Sequence, residues 1–168
     1  MPAGLKQTSS VVPIGFAVAE TAPNTFAQGQ IDLNLSPLDR EVFVVLAVNL
    51  DSDVPDTIAA TNTSVRAALT TTSQTAMPSL QDANCLARLS HFTQADATMA
   101  VSYSSQALET PPSTLEYIGI IATNDFFVQV EGGNNATISG VSGKMYGYRA
   151  VASADIYAAL VQSEVLSA

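Results

Sequence analysis

The sequence predicts an all-β fold, a single antiparallel β-sandwich with an N-terminal arm and a short C-terminal α-helix. Three observations point to this class. Short apolar segments separated by turn residues recur at intervals of about ten residues, which is typical of sandwiches and barrels. The end of the chain changes to the four-residue spacing of an amphipathic helix. The length, 168 residues, fits one domain, and no long internal repeat divides it.

The first third of the chain contains the clearest strand patterns. Residues 1–10 are small and polar and are predicted to form the arm, whereas residues 11–20 suit an edge strand because Pro13 interrupts their apolar run. Residues 30–35 alternate strictly between polar and apolar, which predicts a half-buried strand. Residues 41–50 are apolar and rich in β-branched side chains, which predicts a central strand covered on both faces.

Turn residues divide the remainder of the sandwich. Pro-Pro within residues 109–113 is the strongest break, and the Gly-Gly-Asn-Asn of residues 132–135 favours a hairpin turn because both residue types tolerate positive φ. Ser142-Gly143 is interpreted as a further turn. The strands expected between these turns are residues 64–72, 85–92, 97–104, 115–122, 126–131, 136–141 and 144–151.

The last segment is predicted to be a helix over residues 153–168. Ser153 can cap it, and Asp155 lies in the first turn, where the helix dipole favours a negative charge. The predicted organisation is therefore an arm over residues 1–10, a sandwich over 11–152 and a terminal helix. The apolar stripe of the helix is Ile156, Tyr157, Leu160, Val161 and Val165.

Charged residues are scarce for a chain of this size. Six basic and fifteen acidic side chains give a net charge of -9, and charged residues make up 12% of the sequence against about 25% in ordinary domains. The surface must therefore consist largely of Ser, Thr, Ala, Asn and Gln. Depletion of Lys and Glu is typical of the cores of protein–protein interfaces. This composition favours self-association, with a neutral surface on an ordinary domain as the alternative.

Several partner classes are excluded by the same composition. The six cations are scattered singly, whereas binding to a phosphate backbone needs clustered Lys and Arg, so no direct nucleic-acid binding is expected. The longest apolar run, residues 42–48, is far shorter than the roughly 20 residues of a spanning helix. Residues 1–10 lack the order of a signal peptide, so we expect synthesis in the cytoplasm.

No catalytic constellation is recognisable, and we expect no enzymatic activity and no cofactor. His91 is the sole histidine and Cys85 the sole cysteine, so a zinc site built from these residue types is excluded. His91 lies in no G-x-S-x-G context and is interpreted as a structural strand residue. Cys85 is interpreted as a small buried hydrophobe.

Asp51, Asp53 and Asp56 form the one candidate metal constellation. Three carboxylates within six residues could supply oxygen ligands to calcium, together with backbone carbonyls and water. The segment is not an EF-hand, because Asp56 and Asn62 stand at the sixth and twelfth positions, where that loop requires Gly and Glu. The alternative is a solvated acidic loop that follows a strand.

The arm, the sandwich, the terminal helix and the charge-poor surface together form a layout that is similar to single jelly-roll coat proteins. This resemblance extends over the whole chain and implies a jelly-roll-like sandwich that assembles with copies of itself and with other shell proteins, and that is located in the virion. Two other classes stay open from the residues. One is a β-sandwich binding module, such as a lectin-like, adhesin or fibre domain, and the other is a small β-fold enzyme. Particle size in solution distinguishes a shell subunit from a binding module.

Overall fold

The computed structural model describes residues 2–106 and 114–167, which form two antiparallel sheets and one helix. The predicted break at residues 109–113 falls in the stretch outside the described residues. The predicted all-β sandwich is confirmed. Its elements are β1 Leu5–Gln7, β2 Val12–Ala19, β3 Ala27–Asp32, β4 Glu41–Ser52, β5 Thr63–Thr70, β6 Cys85–Ala95, β7 Ala100–Gln106, β8 Gly119–Ile121, β9 Asp125–Gly133, β10 Gly140–Ala152 and α1 Ala154–Leu166.

The strands pair as a nested antiparallel ribbon. The innermost pair is β5 with β6, and it is enclosed in turn by β4 with β8, β3 with β9 and β2 with β10. Successive pairs fall in alternate sheets, which are closed by pairing of β10 with β4 and of β9 with β5. Eight strands arranged in this way are a jelly roll. Sheet A contains β1, β2, β10, β4 and β8, and sheet B has the order β3-β9-β5-β6-β7.

The predicted N-terminal arm contributes a strand to sheet A. Leu5 pairs with Ala152 at the C-terminal end of β10, while β2 pairs with residues 140–147 at the N-terminal end of the same strand. β4 pairs along one edge of β10. β1 and β2 both pair with the opposite edge, each with a different part of the strand. The Thr8 N–H extends this edge by donating to the carbonyl of Arg149 at 2.9 Å, and the Ser9 hydroxyl accepts the Arg149 N–H at 2.9 Å.

β4 confirms the prediction of a central strand covered on both faces. Phe43 and Val45 point into the space between the sheets. Val42 and Val44 point to the opposite side, where β1 and α1 cover them. All four side chains are buried, so an unbroken apolar run corresponds here to two separate apolar clusters.

The prediction of two strands over residues 136–141 and 144–151 is wrong, because one long strand, β10, passes through Ser142 and Gly143. Glycine is needed at 143 for close packing and not for a turn. A Cβ there would overlap the backbone oxygen of Asn49 and lie about 2.9 Å from the ring of Phe16. Absence of a side chain lets three strands pack against one another at this point.

Other strand limits differ from those predicted. The strand expected at residues 30–35 lies at Ala27–Asp32 instead, although Leu33 and Leu35 are buried as the alternation indicated. Their backbone N–H groups donate to Asn124, to its carbonyl at 2.7 Å and to its side-chain Oδ1 at 2.6 Å, and not to a neighbouring strand. Of the strand predicted at residues 115–122, Gly119–Ile121 is a strand.

Candidate functional site

The acidic segment lies at one end of the sandwich, which we call the loop end and which comprises residues 20–26, 53–62 and 134–139. The Asp53 carboxylate accepts the N–H of Gly140 at 2.8 Å. The Asp56 carboxylate accepts the N–H groups of Ala136 at 2.8 Å and Thr137 at 3.0 Å. These hydrogen bonds connect the segment between β4 and β5 with the segment between β9 and β10.

The three predicted calcium ligands are placed differently from one another. Asp51 is an exposed residue of β4 opposite Ser142, whereas Asp53 and Asp56 hold backbone N–H groups. Hydrogen bonds from the backbone and hydroxyl of Thr137 lower the pKa of Asp56. Within residues 2–106 and 114–167, no three His, Cys, Asp or Glu side chains are grouped to hold one metal ion. The calcium hypothesis stays a prediction.

The buried carboxylate of Glu20 links the connection between β2 and β3 to the rest of the loop end. Its two oxygens accept the N–H groups of Gly132 at 2.7 Å and Ser139 at 2.8 Å. Asn24 and Asn135 also bond reciprocally, because the side chain of Asn24 donates to the Asn135 carbonyl and accepts the Asn135 N–H. These hydrogen bonds therefore cross-link the loop end within the subunit, through the backbone N–H groups of residues 132, 135–137, 139 and 140.

The two residues with the strongest nucleophilic or acid–base chemistry lie far apart. Cys85 begins β6, is buried and donates its thiol to the Ala87 carbonyl at 3.4 Å. His91 lies in the same strand, opposite Val65 on one side and Ser104 on the other. Six residues of strand span about 20 Å at 3.3 Å each. Cys85 and His91 therefore cannot form a catalytic pair.

A surface depression of about 380 Å³ lies where the loop end meets the turn between β6 and β7. Asp96 is its sole ionisable lining residue. The Asp96 carboxylate accepts the N–H groups of Thr98 and Met99, at 2.8 and 2.6 Å, so it closes the turn. These hydrogen bonds lower the pKa of Asp96. The Asp96 carboxylate therefore serves to close the turn and is not placed to act as a general acid or base.

The terminal helix packs on the outer face of sheet A. Ile156, Tyr157, Leu160 and Val161 of the predicted stripe contact the apolar cluster over β4 and β10, as expected. Val165 does not, because 62% of its surface is exposed. Ser153 stands at the N-cap position as predicted, but its side chain makes no capping hydrogen bond.

Glu164 is the residue of the helix that sequence analysis missed. It is buried, and its carboxylate accepts the N–H of Ala122 at 3.0 Å and of Thr123 at 2.8 Å, in the connection between β8 and β9. Burial raises its pKa, while these two N–H groups act in the opposite direction. A sequence signal existed, because Glu164 follows Ile156 and Leu160 at four-residue spacing on the buried stripe.

Many large apolar side chains remain on the surface of the described residues. A group on the β6–β7 hairpin, which we call the hairpin patch, consists of Phe92, Met99, Val101 and Tyr103. The Phe92 and Tyr103 rings stack at a centroid distance of 6.4 Å. The other exposed large apolar residues are Val11, Val12, Leu38, Val54, Leu80, Leu115, Tyr117, Ile138, Val165 and Leu166.

Across the described part of the chain, no helix is long and apolar enough to cross a membrane.

No protein-family model matches the chain, and no curated protein matches it. The structure is similar to a solved chain titled Desmodium yellow mottle tymovirus, with a TM-score of 0.30, 12% sequence identity, and coverage of 92% of this chain and 95% of that one. A TM-score of 0.30 is below the level at which two structures count as the same fold.

Proposed function

We propose that the protein is a structural subunit that assembles with copies of itself into a symmetric shell, as the coat protein of a virus. The observation that carries this proposal is the exposure of large apolar side chains on a surface with few charges. Val101 and Tyr103 are each 58% exposed and Met99 is 66% exposed, in a chain with only six basic residues. Contiguous exposed apolar residues mark interaction sites.

The fold supports the proposal by analogy. Jelly rolls are used by viral shell proteins, but lectin domains use them too, so the architecture favours a shell subunit without excluding a binding module. The depression at the β6–β7 turn gives little support to ligand binding, because it is open to solvent and its one ionisable lining residue, Asp96, already closes a turn.

A catalytic role is not part of the proposal. His91 and Cys85 are separated along one strand, so they cannot act on each other as base and nucleophile. We expect the His91→Gln variant to assemble as the wild-type protein does. An esterase, glycosidase or peptidase activity that disappears in His91→Gln while the fold is retained would instead place the protein among enzymes.

Size-exclusion chromatography with light scattering on the full chain tests the proposal. At micromolar concentration in near-physiological salt, we expect particles that contain dozens of copies. A discrete small oligomer would favour the binding module. A stable monomer would overturn self-assembly, because no interface would then cover the exposed apolar side chains.

A further inference from the structure

The last strand of sheet B, β7, leaves one of its edges unpaired among the described residues. β6 occupies one side of Ala100–Gln106, and no strand follows on the other side. An edge strand presents a row of backbone N–H and C=O groups to any strand that can align with it. Natural proteins therefore protect such edges with charges, prolines, bulges, short length or a covering loop.

The other three edges of the two sheets carry these protective features. Pro13 interrupts β2 and Lys6 lies in β1, on the edge that these strands share. β8, on the opposite edge of sheet A, has three residues. β3 is in contact with the connection after β5, in which the Gln74 N–H donates to the side chain of Gln28 at 2.8 Å.

Among the described residues, β7 has none of these features. Residues 97–106 contain no charged residue, no proline and no glycine. The pairing of β7 with β6 continues without a register shift, so no bulge bends the edge away. The outward side chains beside this edge, Val101 and Tyr103, belong to the hairpin patch, so the unpaired backbone and the exposed apolar surface lie together.

We propose that β7 pairs with β7 of a second copy, antiparallel across a two-fold axis, so that sheet B continues from one subunit into the next. This inference rests on the proposed self-assembly and names one of its contacts. A two-fold contact brings the same patch together from both subunits, which requires a self-complementary surface. The uncharged segment of residues 97–106 meets that requirement.

Charge favours a second copy over a different partner. Each subunit carries a net charge of -9, so two copies repel each other wherever acidic surfaces face one another. A contact built from an uncharged strand avoids that repulsion. A basic or acidic partner would find no complementary charge in β7 itself. Addition of an extended segment from another protein is the alternative that the experiment distinguishes.

The first arm of the test measures assembly of the full chain carrying Val101→Lys. Because both subunits then place a charged side chain in an otherwise uncharged contact, we expect the β7 contact to weaken by about tenfold or more. Val54→Lys is the matched control, since Val54 is 70% exposed but lies outside β7. Equal assembly of Val101→Lys, Val54→Lys and the wild-type protein overturns the β7 contact and leaves shell assembly standing.

The second arm places single cysteines at Val101, Ser102, Tyr103, Ser104 and Ser105 and measures disulfide-linked dimers after mild oxidation. The wild-type protein is the control, because its cysteine, Cys85, is buried. In antiparallel two-fold pairing, only the residues at the two-fold axis face their own copies. We therefore expect disulfide cross-links at one or two adjacent positions and none at the positions on either side of them. No cross-link at any position overturns the proposal, as does binding of β7 to another protein while the chain alone stays monomeric. A β7-linked dimer that forms no larger particle supports the contact but contradicts the shell.

Discussion

Glu164 of the terminal helix accepts a hydrogen bond from the backbone N–H of Ala122, 42 residues earlier in the chain, at 3.0 Å. The second carboxylate oxygen accepts the N–H of Thr123 at 2.8 Å. One buried side chain thus satisfies two consecutive backbone donors where the chain passes from sheet A to sheet B. The helix is held to sheet A by this polar contact as well as by its apolar stripe.

Replacement of Glu164 by alanine is expected to lower the free energy of unfolding by about 1–3 kcal/mol, because it leaves buried N–H groups without an acceptor. Urea unfolding followed by circular dichroism measures this change. Val165→Ala is the matched control on the next residue of the helix, which is mostly exposed, and is expected to change stability by less than about 0.5 kcal/mol. Equal effects of the two substitutions would show that the buried carboxylate contributes no stability.

The pKa of Glu164 predicts how stability depends on pH. Burial raises this pKa above its ordinary value of 4.5, and the negative charge of Asp125 adds to the increase. The folded protein then binds a proton at pH values where the unfolded chain has released it, so the resulting stability is present below about 4.5 and lost as the pH rises through the folded-state pKa. Relative to Glu164→Gln, the wild-type protein should become less stable between pH 4.5 and pH 7. A constant or opposite difference would contradict this assignment.

Gly143 is expected to tolerate no side chain, whereas Gly15 on the neighbouring strand should accept one. A Cβ at 143 would overlap the Asn49 carbonyl oxygen, which belongs to backbone and cannot rotate away. The nearest atom to a Cβ at 15 is 4.0 Å away. Gly143→Ala should therefore cost about 1–3 kcal/mol of unfolding free energy, and Gly15→Ala less than about 0.5 kcal/mol. Thermal and urea unfolding of the pair measure the difference, and similar values would contradict the close packing of β2, β4 and β10.

The calcium hypothesis for Asp51, Asp53 and Asp56 predicts that a chelator lowers the melting temperature, because an ion bound only by the folded state stabilises it. Asp51 is the informative position, since it is exposed and its replacement leaves the loop-end hydrogen bonds of the other two intact. Asp51→Asn should then reduce the response to calcium. Identical melting curves with calcium and with chelator would reject the hypothesis.

The sequence predicts those parts of the fold in which local pattern and tertiary burial agree. Residues 41–50 are apolar on both faces because β4 separates two apolar clusters, and that pattern was visible without any structure. Gly143 was misassigned to a turn because a glycine required for close packing and one required for a turn are the same residue in the sequence. Only the packing of three strands distinguishes them.

Long-range polar contacts were beyond sequence analysis. Glu164 and Glu20 each bind backbone N–H groups more than 40 residues away in the chain, and a backbone donor has no residue type that could reveal it. Asp56 illustrates the same difficulty. Its position in an acidic segment indicates a metal ligand, whereas in the folded chain its carboxylate also accepts hydrogen bonds from three donor groups of residues 136–137. Side chains that bind backbone can be identified only when the partner segment is placed.

Electron microscopy of the purified full chain tests the central claim most directly. Self-assembly into a shell predicts closed particles of uniform diameter built from this chain alone, in which averaged images show sheets continuing between neighbouring subunits. The hairpin patch should lie inside a contact, with Val101 and Tyr103 covered. Dispersed monomers, or small oligomers with the patch exposed to solvent, would contradict the proposed function.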